Sequence, residues 1–419
     1  MEIERRHRAR TLYLATILHC FTHLYMVALI PLYLPIQKAF KLSSVDQVTS
    51  LVTIQMMAYF LPSIYIGKLA DKLSRKTLLS IGIFINSLSF IGIGIAPTYT
   101  IAMLCVALAG IGGSFFHPAA IALIAKLYPE TTGRALGIAG IGASAGFFIG
   151  PLYTGWRASI TGNWRIPLIE LGIAGLLMAI LFTLFAYKDQ PLHRTKSRQY
   201  NNIKIFDSKI LWAAFLLSCV FFSLRDFAGG AMQSLTSLYL QNAHNWSLKQ
   251  TGLALSLISI ASGISNPLFG HLSDKHRYRW VVFIIATASV IIFLFPYIKP
   301  NYVMFSLIIY GFFFMASYPL VEAALMQSFD DSIRGRVCGI FLTVCSVIGN
   351  MAHWVSGKWV NALGSSASLT SSYKPLYYIL GALALLSLIA LPLLDYIRKN
   401  NARVSTDEKF KLNLQTVEK

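Results

Sequence analysis

Eight acidic, basic or imidazole side chains stand inside long apolar stretches of the sequence, where a charge is costly, and seven of them, all except Glu170, are candidates for one functional site. The seven are His19, His23, His117, Arg225, Asp226, Glu322 and His353. One charge at the centre of a bilayer costs about 2.5–3.5 kcal/mol on insertion scales, so such groups normally face a protein interior or a watery cavity. Imidazole and carboxyl groups there would bind and release protons, and a guanidinium would attract an anion. The seven residues therefore predict a cavity for protons and a substrate.

The basic members of this set occupy related positions. His19 and His23 are four residues apart and share one helix face. An offset of 206 residues matches His19 with Arg225, so two parts of the chain would each present a basic group at an equivalent height. Such a pair could bind an anionic substrate. For His23 and His353 in particular, simple hydrogen bonding between helices is an equal alternative.

The acidic members are candidate proton carriers. Glu322 follows Tyr318 by four residues, which places a carboxyl and a hydroxyl on one helix face. We predict Glu322 or Asp226 as the carrier. Asp226 could instead neutralise a cation, although the adjacent Arg225 points about 100° away around a helix and is not its expected partner. Glu170 remains open, because its place near the end of an apolar segment could leave it solvated.

The elements that must position these groups are membrane-spanning helices. The sequence of 419 residues is 55% hydrophobic and only 13% charged. Lipid-exposed backbone has to satisfy its own hydrogen bonds, and continuous apolar runs are typical of helices rather than of a barrel. The first run is too long for a signal peptide and predicts a retained helix. The predicted spans lie at roughly 11–37, 46–68, 77–96, 99–126, 133–158, 166–187, 209–241, 248–272, 280–297, 301–328, 335–361 and 374–396.

The formal net charge of +19 follows the same topology. With the N-terminus inside, 27 of the 36 Lys and Arg residues fall in inner segments and 8 fall in outer segments. The one remaining residue, Arg225, lies within a predicted span. This bias obeys the positive-inside rule and predicts that both termini are cytoplasmic. It accounts for the basic excess without a nucleic-acid partner. The five cysteines all lie in spans without a CxxC pair, which favours apolar packing over redox or metal roles.

The two halves of the chain repeat one pattern. Gly110 and Pro118 match Gly311 and Pro319 at an offset of 201, and other motifs match at 203 and 206. We predict an N-terminal six-helix half at 1–187, a cytoplasmic linker at 188–208, a C-terminal six-helix half at 209–397 and a cytoplasmic tail at 398–419. A parallel repeat of this kind suits rocking around a site at the bilayer midplane.

The polar segment GKLADKLSRK at 67–76 resembles the loop between helices 2 and 3 of the major facilitator superfamily. Gly67, Asp71, Arg75 and Lys76 meet the family pattern, and Gly270 and Asp274 form a partial copy. The resemblance implies a twelve-helix transporter fold in which these six residues, here called the latch residues, hold one conformational state. Arg75 and Lys76 are expected among the lipid headgroups. A polar loop that only obeys the charge rule is the alternative.

The predicted fifth helix carries a spacing similar to that of drug/proton antiporters of this superfamily. Its residues are Gly137, Gly146, Gly150, Pro151 and Gly155, with Thr154 where glycine is usual. Glycines four residues apart remove side chains from one face and allow a neighbouring helix to approach. General helix packing is the alternative. A dinucleotide-binding loop is excluded, because no strand precedes these glycines.

Two further motifs resemble the fosmidomycin-resistance branch of the superfamily. They are GSFFHPAA at 113–120 and HCFTHLYMVALIPLYLP at 19–35. One departure is important: the arginine that the antiporters carry in helix 4 would fall at Val106. The proton relay must therefore use other buried groups.

The sequence as a whole predicts a proton-coupled secondary transporter of a small organic solute, with efflux by proton antiport favoured. The resemblance implies a monomer in the bacterial inner membrane. The alternative is a proton-coupled importer of a nutrient, an organic anion or a metal chelate. No GxxxxGK[ST] loop, HExxH motif or other catalytic motif is present, so neither ATP, an enzymatic activity, a cofactor nor a metal site is expected. A sensor or scaffold with the same fold also remains open.

Overall fold

The computed structural model describes residues 2–70, 73–187, 205–206, 208–329 and 331–400. Within these residues it contains twelve helices that are long and apolar enough to cross a membrane. They are named α1 to α12 in chain order: Arg6–Ala39, Val45–Gly67, Arg75–Ile95, Tyr99–Leu127, Thr132–Thr161, Arg165–Phe185, Lys209–Ala243, Leu248–Leu272, Arg277–Tyr297, Pro300–Met326, Arg336–Ser368 and Thr370–Asn400. The predicted twelve-helix fold is confirmed, with ends that differ by several residues.

Several of these helices are interrupted, among them α1 between Val27 and Tyr33, and α2, α4 and α8. The first segments of α2, α4 and α8 end at Phe60, Ser114 and Ile260, and the second segments begin at Ser63, Phe116 and Ser262. In α4 the cause is Pro118, whose ring clashes with the carbonyl four residues earlier, at Ser114. In α2 the interruption contains Pro62.

The two halves pack in the same way. Helices α1 and α5 pair as α7 and α11 do, α3 and α6 pair as α9 and α12 do, and α2 and α4 pair as α8 and α10 do. A Cβ on Gly110 would collide with the carbonyl of Gln55 in α2, and a Cβ on the matched Gly311 would collide with the carbonyl of Ile258 in α8. The same close helix crossing therefore recurs in both halves. Most of the predicted linker at 188–208, and the predicted tail from 401 onward, lie outside the described residues.

The halves meet through α5 with α8 and through α2 with α11. Both contacts include the end of the bundle opposite the chain termini, here called the distal end. At this end Gly155 faces Gly252 with no side chain between the two backbones. On the other side of the bundle, Lys358 Nζ lies 3.1 Å from Asp46 Oδ2. The distal end is thus closed by close contacts between the two halves.

Candidate substrate and proton site

The strongest charged cluster lies in the C-terminal half, around Arg225. This side chain is almost fully buried, with 1% of the residue exposed. Its Nε and Nη2 atoms donate to one carboxylate oxygen of Asp226, at 2.8 and 2.6 Å. Its Nη1 atom donates to the carbonyl of Ser317 at 3.0 Å, and the guanidinium lies 4.4 Å from the centre of the Tyr318 ring. All of these partners of the guanidinium lie on α7 or α10.

The prediction that Arg225 is not the partner of Asp226 is wrong. The two residues leave the helix about 100° apart, but the arginine side chain is long and flexible enough to curve back to the neighbouring carboxylate. Because Arg225 is already paired with Asp226, its charge is not available to bind an anionic substrate in this conformation. Sequence reasoning could not show this, since it considered only the directions of the Cβ atoms.

Asp226 connects this cluster to α11. A Cβ placed on Gly349 would lie 2.7 Å from the Cβ of Asp226, so the backbone of α11 passes directly over the aspartate. The Asp226 side chain keeps 17% of its surface exposed. It is therefore paired and packed, but not completely enclosed. Gly349 was not identified in the sequence analysis. The only signal for it in the sequence is that a glycine stands inside an apolar helix.

Glu322 lies at the edge of the same cluster. It is one helical turn from Tyr318, which contacts Arg225, and its charge interacts with those of Arg225 and Asp226. Unlike them, it is exposed. Since Tyr318 and Glu322 share a helix face, this exposure is on the side of α10 that carries the cluster. Glu322 is thus an exposed carboxyl next to the buried ion pair.

A second cluster lies in the N-terminal half and consists of His19, His23 and His117, here called the histidine cluster. His19 Nδ1 lies 2.8 Å from the carbonyl oxygen of Ala139, and the Nε2 atoms of His19 and His23 are 3.0 Å apart. The ring of His117 lies 5.2 Å from that of His19 and 5.5 Å from that of His23, centre to centre. The predicted face of α1 is present, and α4 adds a third imidazole to it.

Local sequence explains how these rings meet. The interruption of α4 at Phe115, which Pro118 causes, comes directly before the turn that carries His117. On the other side, α1 lies against a glycine face of α5: a Cβ on Gly142 would collide with the carbonyl of Thr16, and one on Gly146 with the carbonyl of Cys20. The close contact of α1 with α5 brings His19 to the carbonyl of Ala139.

His353 belongs to neither cluster. It is 5% exposed, and its Nδ1 lies 2.7 Å from Ser234 Oγ, which in turn lies 2.9 Å from the hydroxyl of Tyr33. The chain of three side chains joins α11, α7 and α1 and so crosses between the halves. Sequence reasoning did not identify Ser234 or Tyr33 as partners.

Glu170 forms an ion pair near the distal end. Its carboxylate accepts from Arg157 Nε and Nη2 at 2.9 and 2.7 Å and from the hydroxyl of Tyr153 at 2.6 Å. These bonds connect α5 to α6 within one half. They describe a structural contact between neighbouring helices.

The latch residues are only partly described. Asp71 lies outside the described residues, so the latch remains a prediction. Arg75 is 4% exposed, contrary to its expected place among headgroups, and Lys76 donates to the carbonyl of Ala186 at 2.8 Å, at the end of α6. A Cβ on Gly67 would only touch Pro118, and one on Gly270 would meet nothing within 4 Å. Asp274 pairs locally with Arg277 at 3.2 Å.

The glycine pattern of α5 has two structural parts. Gly146 and Gly150 face α1, whereas Gly155 and the carbonyl of Pro151 face Gly252 of α8 in the other half. Gly137 has nothing within 4 Å of its Cβ position. In α4, Val106 is fully buried, so an apolar side chain is packed where the antiporters carry an arginine.

Comparisons with known proteins agree with this fold. The sequence matches the profile described as Major Facilitator Superfamily over residues 12–353 and again over 224–416. It is 26% identical over 332 residues to the multidrug resistance protein MdtG of Proteus mirabilis, covering 77% of this chain and 79% of the relative. It is 24% identical over 303 residues to the quinolone resistance protein NorA of Staphylococcus aureus, covering 71% of this chain and 75% of the relative.

Solved structures show the same architecture. A bacterial homolog of the human lysosomal transporter Spinster, in an inward-facing and unoccupied conformation, superposes with a TM-score of 0.75 at 18% identity, covering 94% of this chain and 97% of that one. A peptide transporter, POT, in complex with alafosfalin gives a TM-score of 0.72 at 13% identity, covering 93% and 94%. With twelve apolar helices in two matching halves, the chain belongs to the Major Facilitator Superfamily and is a multi-pass membrane transporter rather than an enzyme.

Proposed function

We propose that this transporter exports small organic compounds in exchange for protons. The observation that carries the proposal is the buried Arg225–Asp226 pair with the exposed Glu322 beside it. A buried charge pair with one solvent-reachable carboxyl is suited to taking up a proton and changing state. The energy source is the proton gradient.

Protonation of Asp226 would remove one half of a buried ion pair. Removing one partner of such a pair typically costs about 3–5 kcal/mol, because the other charge is left buried and uncompensated. Arg225 would then keep only the carbonyl of Ser317 and the face of Tyr318 as close partners among the described contacts. A rearrangement that brings Arg225 to Glu322 would restore the lost interaction. The proton is thereby coupled to movement of α7 and α10.

Such a movement has a route to the opposite half. The backbone of α11 touches Asp226 at Gly349 and, farther along, packs on α2 at Gly357, where a Cβ would meet Thr49 and Asp46. A displacement of α11 at the aspartate would therefore alter the contact that closes the distal end. This is the physical link between proton binding and alternating access.

Export is favoured over import by two observations. The spacing of Gly137, Gly146, Gly150, Pro151 and Gly155 resembles that of drug/proton antiporters. Two relatives that cover more than two thirds of the chain are named as multidrug and quinolone resistance proteins. Because Val106 occupies the place of the antiporter arginine, the proton path in this chain uses the C-terminal cluster.

The orientation, the organisation and the oligomeric state belong to the same proposal. The excess of Lys and Arg in alternate loops supports cytoplasmic termini in a bacterial inner membrane. Residues 1–187 and 209–397 act as two rocking halves, joined by a linker at 188–208 and followed by a tail at 398–419. The transporter works as a monomer on a small-molecule substrate and protons.

The test is transport of a fluorescent cationic dye in inverted membrane vesicles. Export by antiport predicts that acidifying the lumen drives dye inward and that collapsing the gradient stops it. Asp226→Asn and Glu322→Gln should each abolish the gradient-driven component. Glu170→Gln, which removes a carboxylate from the distal ion pair, serves as the matched control and should retain it.

Three outcomes would overturn parts of the proposal. Gradient-independent accumulation would remove proton coupling. Wild-type transport in both Asp226→Asn and Glu322→Gln, with normal protein levels, would remove the carrier assignment. Uptake driven by an inward proton gradient in right-side-out vesicles would instead establish an importer. The presence of Val106 in place of the antiporter arginine is consistent with that alternative.

A further inference from the structure

We propose that His19, His23 and His117 form a binding site for a divalent transition-metal ion. The inference goes beyond the proposed function, because proton exchange at the C-terminal cluster requires no metal. It rests on three independent features of the histidine cluster: the separation of the ligand atoms, the tautomer of His19, and the ring nitrogens that have no protein partner.

The separation of the nitrogen atoms fits a metal ion. One ligand nitrogen from each ring lies within 4.8 Å of the others. Zinc binds imidazole nitrogen at about 2.0–2.1 Å, so two ligands of a tetrahedral site are about 3.3 Å apart. The Nε2 atoms of His19 and His23 are already 3.0 Å apart. Small side-chain rotations would bring the third imidazole to the same distance.

The hydrogen bond of His19 directs its lone pair into the cluster. The carbonyl of Ala139 can only accept, so the Nδ1 atom that lies 2.8 Å from it carries the proton. In the neutral ring Nε2 is then an acceptor, and it accepts a hydrogen bond from His23 Nε2 at 3.0 Å. An ion bound between the two rings would replace this hydrogen bond, and the proton on His23 Nε2 would move to Nδ1 of the same ring. Histidine ligands of metals typically donate their second ring N–H to such a backbone carbonyl, which fixes the ring for coordination.

Apart from the contact between His23 Nε2 and His19, the other two rings have no hydrogen bond that would explain their position among the described residues. His23 Nδ1 is buried and has no hydrogen-bond partner. Among the described residues, no protein hydrogen bond to the ring of His117 is found. Aromatic rings hold the cluster in place instead: Phe116 stacks on His19 at 4.6 Å, and Phe147 packs on His23 at 4.5 Å. The three imidazoles are thus held mainly by packing, and the bond between His19 and His23 is the protein hydrogen bond that a cation at this place would replace.

The ligand set defines the class of ion. Imidazole nitrogens suit Zn²⁺, Ni²⁺ and Cu²⁺, whereas Mg²⁺ and Ca²⁺ require oxygen ligands. Three protein ligands leave a fourth position open, for water or for a donor atom of an incoming molecule. His19 and His117 are partly exposed, so this position is reachable. The cluster as defined contains histidine only, so an anionic donor at the open position would offset the charge of the ion.

The test uses the full-length protein, purified in detergent and stripped with a chelator. Titration with Zn²⁺ against a chromophoric competitor should show one saturable site, and excess Mg²⁺ should not displace the ion. Co²⁺ should give the visible absorption of a four-coordinate site. His23→Gln and His117→Gln should each weaken Zn²⁺ binding at least tenfold. His353→Gln removes a buried histidine outside the cluster and should leave the affinity unchanged.

Several results would overturn the site. They are the absence of saturable binding to the wild type, full affinity in His117→Gln, or an equal loss in His353→Gln. Gel filtration shows which variants are folded. If His23→Gln does not fold, the result for His117→Gln decides the question, because this substitution removes no described protein hydrogen bond of the His117 ring. Since the readout is metal binding, failure here leaves the antiport proposal untouched, and failure of antiport leaves the metal site untouched.

Discussion

The contact between α1 and α5 predicts a large difference between two glycine substitutions on one helix. A Cβ on Gly146 would collide with the carbonyl oxygen of Cys20 and lie only 2.8 Å from the backbone nitrogen of Leu24. A Cβ on Gly137 would have nothing within 4 Å. Gly146→Ala should therefore force the helices apart, while Gly137→Ala should be accommodated without any shift.

The magnitude follows from the distances. Non-bonded heavy atoms are most stable at about 3.5–4.0 Å, so relief of the Leu24 contact alone needs roughly 0.7 Å of separation. Overpacking of this kind costs about 1–3 kcal/mol. Alanine is better than glycine in a helix by up to about 1 kcal/mol, and this gain is common to both variants. We expect Gly146→Ala to be less stable than Gly137→Ala by about 1–3 kcal/mol.

Thermal unfolding of the two purified variants in the same detergent measures this difference directly. Gly137→Ala should melt at or slightly above the wild-type temperature, and Gly146→Ala should melt below it. The histidine cluster provides a second readout, because α1 carries two of its rings: Zn²⁺ affinity should fall in Gly146→Ala only. Equal melting temperatures would refute the claim that α1 contacts the backbone of α5 at this glycine.

Two further pairs of substitutions concern α11. Gly349→Ala should reduce gradient-driven transport in proteoliposomes at least tenfold, because the added Cβ displaces α11 from α7. Gly339→Ala should retain this transport, because a Cβ there would have nothing within 4 Å. Similar transport rates in the two variants would contradict the prediction. At the distal end, Lys358→Gln removes the ion pair with Asp46. Because the lysine side chain is 53% exposed, this pair stabilises the closed end by about 1 kcal/mol or less. The substitution should therefore barely widen the distance between spin labels on α2 and α11. Gly357→Ala places a Cβ against the backbone of Asp46 and should widen the same distance clearly, and the reverse order would show that the ion pair rather than the close approach keeps this end closed.

The helix number and the repeat could be predicted because they depend on local composition. A span of about 20 apolar residues is visible in a single window, and matched residues such as Gly110 and Gly311 carry the repeat by their spacing. The structure shows why these glycines match: each allows one backbone to cross another at the equivalent place. Patterns that follow from one helix, or from two identical crossings, are therefore readable from sequence.

Partners across different helices were not predictable in the same way. The pairing of Glu170 with Arg157 and Tyr153 depends on how α5 and α6 lie against each other, which no spacing within either helix reveals. The pairing of Arg225 with Asp226 depends on the rotamer of a long side chain. The face shared by His19 and His23 was predictable from their spacing.

The third imidazole of the cluster lies between these extremes. The motif His117-Pro118 indicated that α4 would be unusual at this point, but not that the histidine would reach α1. That outcome also requires the glycine face of α5, which draws α1 inward. Three separate local signals had to combine, and no one of them names a metal.

The interruptions of α2, α4 and α8 have a mechanical consequence. Counted from the distal end, their first segments contain 16, 16 and 13 residues, which at 1.5 Å per residue places the three breaks about 24, 24 and 20 Å deep. The breaks therefore form a level of hinges across both halves. On the side of the termini the second segments contain 8, 12 and 11 residues, of which those of α2 and α4 pack on each other and that of α8 packs on α10. Bending of these single segments would therefore add to the proposed rocking of the two halves at the end of the bundle that carries the termini.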